Sequence, residues 1–211
     1  MSQIAELSPV QARILGVLIE KERTVPDTYP LTLNGLLAGC NQKTSREPVM
    51  ELSEADLIPA LDELKNTGWV LDHLSGRVAR YSHQLGKVLQ VPTQSVAVLA
   101  TLMLRGPQTA GELRNNCERL HRFADISAIE AFLQELAERS SGALVCLLPR
   151  QSGAREPRWA HLLAGEIDLS APQGTATPSA QADLRERVEQ LEVALAALQT
   201  EFMAFKSQLG G

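Results

Sequence analysis

The chain has 211 residues and a mass of 23.0 kDa, of which 44% are hydrophobic and only 4% aromatic. A core of domain size is therefore available, while the shortage of rings argues against a carbohydrate groove or a platform for stacked bases. The net charge of −5 is unevenly placed: residues 1–165 hold 18 acidic and 17 basic side chains, and residues 166–211 hold 7 and 3. The body is nearly neutral, so any attraction for nucleic acid must come from a local patch. The first residues lack a basic start followed by an apolar run, and no apolar window is long enough to span a bilayer. Neither a signal peptide nor a membrane span is expected. Cys40, Cys117 and Cys146 are odd in number, far apart and set in apolar patterns. They read as reduced, mostly buried thiols of a cytoplasmic protein.

The first helical signal is "LSPVQARILGVLIEKER". Ser8 is the cap, Pro9 takes the first helical position, and Gln11 stands at the capping-box position. Ile14, Leu15, Leu18 and Ile19 follow at helical spacing. The prolines of "TVPDTYP" stop that helix, and "LTLNGLLAGC" gives a short second one capped by Thr32, with Leu36 and Leu37 inward. The polar stretch "NQKTSREPVMEL" (41–52) then leads to a third helix in "SEADLIPALDELKNTG", with Leu57, Leu61 and Leu64 at helical spacing. Ser53 or Asp56 can cap it; Asp56 is preferred because Pro59 then falls in the first turn, where no hydrogen bond is lost. In the connecting stretch the apolar Pro48, Val49 and Met50 are expected to fold inward, with Met50 or Leu52 beneath the third helix. "WVLDHLSGRVARYSH" closes the unit as a hairpin around Ser75-Gly76.

The same order returns. "VPTQSVAVLATLMLRG" (91–106), "TAGELRNNCERLHRF" (109–123, capped by Thr109 with Glu112 at the box position) and "DISAIEAFLQELAERSSG" (125–142) are three helices. "ALVCLLPRQSGAREPRWAHLL" (143–163) is a second hairpin. "ALDEL" (60–64) aligns with "FLQEL" (132–136). Three helices and a hairpin form the winged-helix arrangement, a helix-turn-helix variant in which the hairpin enlarges a small core. The fold class is thus mainly α with small β-hairpins: winged-helix domains at 1–85 and 86–165 in tandem.

Residues 166–180 are rich in Pro, Ser, Thr and Ala and read as a flexible linker. Residues 181–211 carry a heptad pattern, with Val188, Leu195, Phe202 and Leu209 at a and Leu184, Leu191, Leu198 and Phe205 at d. In parallel register Arg187 would face Glu192 and Glu201 would face Lys206, which favours a two-stranded parallel coiled coil and hence a homodimer. An amphipathic helix folded back on the body is the alternative.

Enzyme signatures are absent: there is no Gly-rich phosphate loop, Cys-x-x-Cys, His-Glu-x-x-His or Gly-x-Ser-x-Gly elbow. His73, His83, His121 and His161 are scattered and read as surface imidazoles, and Asp62, Glu63 and Glu135 as solvated helix faces. No catalytic, cofactor or metal residues are expected. The basic residues carry more information. Lys43, Arg46, Arg77 and Arg80 come from the loop and wing of the first unit. Arg114, Arg119 and Arg122 come from the second helix of the second unit, and Arg150, Arg155 and Arg158 from its wing. Wing arginines suit phosphate contact. Against DNA stand the acidic third helices, with Glu54, Asp56, Asp62 and Glu63 in one and Glu130, Glu135 and Glu138 in the other.

The string "LSPVQARILGVLIEKERTVPDTYPLTLNGLLAGCNQKTSREPVMELSEADL" closely resembles the YceH-like proteins, a bacterial family of uncharacterised function. The likeness continues through "RYSHQL" to about residue 165, and "YPLTLN…CNQKTSREPVM" is its most specific part. The resemblance implies a dimeric tandem winged-helix protein and brings no catalytic or ligand residues. Two functions are expected from the residues: a non-enzymatic dimer that binds double-stranded DNA and regulates transcription, or an adaptor that uses its winged helices to bind a protein, as in segregation and condensation complexes.

Overall fold

The computed structural model describes residues 6–75, 78–150 and 154–165. The expected linker (166–180) and coiled-coil helix (181–211) lie outside the described residues.

Helix α1 (Pro9–Thr24) starts as its sequence dictates. The Ser8 hydroxyl accepts from the backbone N–H of Gln11, whose side chain accepts in return from the Ser8 N–H at 2.7 Å. A 3₁₀ turn at Pro26–Thr28 leads to the two-residue strand β1 (Leu31–Thr32) and helix α2 (Leu33–Cys40), capped by the Thr32 hydroxyl. Helix α3 (Glu54–Asn66) is followed by strands β2 (Val70–Ser75) and β3 (Val78–His83). They pair antiparallel from Val70↔His83 to Ser75↔Val78, and β1 adds to the other edge of β3 through Leu31↔Tyr81.

A short helix, α4 (Leu85–Leu89), joins this half to α5 (Thr93–Arg105), α6 (Ala110–Cys117), α7 (Ile126–Ala137), β4 (Val145–Leu147) and β5 (Trp159–His161). Strands β4 and β5 pair antiparallel, and the single bridge Gln108↔Trp159 takes the place that β1 has in the first half. The result is mainly helical with small hairpins, and winged-helix-like in both halves. The expected boundary after residue 85 falls inside α4, and one apolar core runs through both halves. In α1 nine consecutive residues, Gln11–Ile19, are buried, and in α5 ten, Ser95–Leu104. Helices buried on every side belong at the centre. Here α1 and α5 pack on each other, so closely that a Cβ at Gly16 would come within 2.8 Å of Leu104.

The start of α3 corrects one expectation. Ser53, not Asp56, is the cap; Asp56 is its capping-box partner, and Pro59 sits inside the helix. Pro59 and Ala55 are both exposed, so water can solvate the carbonyl that loses its bond. Helices α6 and α7 are shorter than expected. The chain leaves α6 at Cys117, whose carbonyl accepts from both Leu120 and His121.

Candidate functional site

The 41–52 stretch is built around two buried guanidinium groups. Arg46 is only 4% exposed. Its Nη2 meets Glu20 Oε2 at 2.7 Å and Gln42 Oε1 at 2.8 Å, and Nε and Nη2 donate to the Gly39 carbonyl at 3.2 and 3.1 Å. Arg13, on α1, donates to the carbonyls of Cys40 and Pro48. Both cations therefore hold carbonyls left without partners at the end of α2 and, for Arg13, in the loop, a charge-assisted arrangement suited to the forked guanidinium. Burial alone would raise the Glu20 carboxyl, but the hydrogen bonds and charge of Arg46 and Lys21 outweigh it and hold it below its ordinary value. Asn41 closes the loop by exchanging two 2.8 Å bonds with the Leu52 backbone. The loop is also tied to the second half: Glu47 N–H donates to the Leu104 carbonyl at 2.7 Å, and Arg105 Nη2 to Ser45 Oγ at 2.6 Å.

Arg46 thus leaves the set of expected partner contacts, because its donors are engaged inside the protein. The inward placement of the apolar residues is also corrected. Val49 is 51% exposed, Pro48 is exposed and Met50 is half-buried, while Leu52 packs against the core. The polar loop fills its interior with arginine instead.

A cleft of about 510 Å³ opens between this loop and the C-terminal ends of α1, α5 and α6. Lys21, Lys43, Arg105 and Arg119 line it against one carboxylate, Glu20, with Thr24, Thr44, Ser45 and Asn116 between them.

The remaining expected contacts divide sharply. Arg80 donates to the Pro30 carbonyl and Arg158 to the Pro107 carbonyl, each at 2.8 Å. These prolines stand just before the caps Thr32 and Thr109, so each arginine ties its hairpin to the start of the second helix of its half. Arg158 also pairs with Glu112 at 2.9 Å, and Arg114 donates to the Ala124 carbonyl at 3.3 Å. Lys43, Arg119, Arg122, Arg150 and Arg155 are exposed and form no ion pair among the described residues. Arg77 lies outside them.

Residues 7–175 match a family described as "Protein of unknown function, DUF480". A UPF0502 protein of Dechloromonas aromatica is 58% identical over 197 residues, covering 92% of each chain. Another, from an Acidovorax species, is 56% identical over 212 residues, covering 97% of this chain and 94% of its own. The chain belongs to the DUF480 family. The likeness to YceH-like proteins agrees with this membership.

The repeat read from the sequence of the DUF480 chain extends to positions that the sequence reading did not match. Pro30, Thr32, Leu36 and Cys40 correspond to Pro107, Thr109, Leu113 and Cys117, and "RYSH" (80–83) corresponds to "RWAH" (158–161). Cys40 and Cys117 both end the second helix of their half at 0% exposure, and burial pushes their thiols up to about 12 and about 11. They are packing groups, not nucleophiles. His83 and His161 correct the reading of the histidines as surface groups. Each ends the second strand of its hairpin with a buried Nδ1 that lacks a partner among the described residues. Burial lowers His161 to about 4; at His83 burial also lowers the imidazole, opposed by Glu22 Oε2 at 3.3 Å. Among the described residues no group of three His, Cys, Asp or Glu converges to hold a metal, and no helix is long and apolar enough to cross a membrane.

Proposed function

We propose that the protein is a non-enzymatic, cytoplasmic DNA-binding homodimer that regulates transcription, with its second winged-helix half leading the contact. The observation that carries this reading is the set of exposed arginines there that lie away from the cleft: Arg122 beyond α6, and Arg150 and Arg155 in the hairpin connection. The exposed carboxylates of α3 and α7 would repel phosphates from the usual recognition helices. The hairpin and the α6 edge would then track the backbone, giving affinity that depends strongly on salt and weakly on sequence. The heptads between Leu184 and Leu209 support the dimer, as a short coil that assists contacts made elsewhere. Fluorescence anisotropy with genomic DNA fragments at low salt tests the proposal. Binding should weaken with salt, and an Arg150→Glu/Arg155→Glu variant should lower the slope by about one per lost phosphate contact. No binding at low salt would sink it.

A protein adaptor is the second reading, favoured by the first hairpin. Leu74, 84% exposed, and Val78, 52% exposed, flank its turn and offer an apolar surface to a partner chain. A crosslinked pull-down with the full chain tests it: loss of a captured protein on Leu74→Ser would support it, and recovery of nucleic acid alone would oppose it.

A further inference from the structure

We propose that the cleft between the ends of α1 and α5 binds a small phosphorylated molecule of nucleotide size. The proposal goes beyond the DNA reading: no residue of α3, α7 or either hairpin lines the cleft. Its volume of about 510 Å³ lies within the range of small-molecule sites, and a concave site of that size does not admit a duplex. Four cations face it in a chain whose net charge is −5. The single carboxylate on its wall, Glu20, is already neutralised by Arg46 at 2.7 Å and Lys21 at 3.2 Å.

Three helix C-termini, of α1, α5 and α6, meet the 41–52 loop here, and cations gather at such ends for a purely structural reason: they offset the exposed carbonyls. The hydrogen bonds decide between the two roles. Arg13 and Arg46 already donate to the last carbonyls of α2, whereas Lys43 and Arg119 donate to none among the described residues and keep their donors for a ligand. Arg105 donates to the Ser45 hydroxyl instead, which fixes its guanidinium at the cleft wall and leaves its other donors without partners among the described residues. Donors already held in place suit phosphate oxygens, and the hydroxyls of Thr44 and Ser45 can complete the contact. The tight packing of the 41–52 loop against α1 and α5 makes the wall rigid before any ligand arrives.

Isothermal titration calorimetry on the full chain, with inorganic pyrophosphate and with metal-free ATP as probes, tests the assignment. Saturable one-to-one binding of either probe is expected. It should weaken at least tenfold in Lys43→Ala/Arg119→Ala, with the melting temperature of the variant unchanged because both side chains are exposed. Preloading with a short DNA duplex should leave the isotherm intact. The proposal is overturned by no saturable binding of either probe, by equal affinity in the double variant, or by displacement of the probe by duplex. The last result would assign these cations to a nucleic-acid backbone. A failed DNA titration leaves the small-ligand isotherm standing, so the two readings fail separately.

Discussion

The two halves of the molecule share their frame and differ in how they fill it. Each runs helix, helix, helix, hairpin, and each ties its hairpin to a proline carbonyl with an arginine, Arg80 in one and Arg158 in the other. They part at the end of the second helix. In the second half Cys117 Sγ lies 3.6 Å from the Ala97 carbonyl and 3.0 Å from the Thr101 hydroxyl, a small polar cluster inside an apolar wall. The corresponding place in the first half holds Arg13, which reaches the Cys40 and Pro48 carbonyls. Arg46 completes the arrangement with Glu20. A duplicated scaffold has thus kept one connection short and rebuilt the other around buried charge. The lesson is that a longer loop needs an interior, and here that interior is ionic. Buried ion pairs are costly to desolvate and costly to break, so the first half is the one that substitutions should damage most.

The sharpest way to break this comparison is Arg46→Ala. It leaves the Gly39 carbonyl without its donor and the Glu20 carboxylate with Lys21 as its remaining cation, and should cost roughly 3 kcal/mol in urea unfolding. A loss below about 1 kcal/mol would show that the loop's interior does not depend on the charge.

Acid comes next. His161 is held near 4 when folded, against an unfolded value of about 6.5. The folded state then binds fewer protons, so this contribution is complete above about pH 6.5 and is lost as pH falls toward 4, by up to about 3 kcal/mol. His161→Asn should flatten the stability profile in that window. His83→Asn should flatten it less, because Glu22 opposes the effect of burial there.

Position 39 separates the halves by shape. A Cβ on Gly39 would stand 2.6 Å from Val17 Cγ1, so Gly39→Ala should cost roughly 1–3 kcal/mol. Its counterpart Asn116 bonds Gln108 Oε1 at 2.7 Å, and Asn116→Ala should cost about 1 kcal/mol. The smallest expected difference, between two matched variants, tests sameness. Arg80→Ala and Arg158→Ala should each cost roughly 1–2 kcal/mol and agree with one another, since the exposed Arg158–Glu112 pair adds little. A large inequality would mean that the two ties are not equivalent.

Local chemistry made much of this fold legible. Ser8, Thr32 and Thr109 cap their helices as read, because a cap depends on residues three positions away. The apolar triplet Leu57, Leu61 and Leu64 faces the core because helical spacing places it on one side. What failed depended on distant partners. Arg46 reads as a surface cation until Glu20, twenty-six residues earlier, is brought beside it. Asp56 looked the better cap because the cost of Pro59 depends on whether its turn faces water. The repeat of "RYSH" as "RWAH" was visible in the letters, but the connections between matched segments differ in length, so no single period aligns them. Of the candidate site, the presence of cations was readable; their division into structural and free groups was not.

The close meeting of α1 and α5 at Gly16 has a consequence for how the body comes apart. Because each of these helices is buried by both halves at once, neither half has a complete interior of its own. Heat or urea should therefore melt residues 6–165 in one all-or-none transition, with coincident fluorescence and circular-dichroism curves. A chain cut after Gln90 would carry α1 with one flank bare, and it should associate with itself instead of standing as a folded monomer.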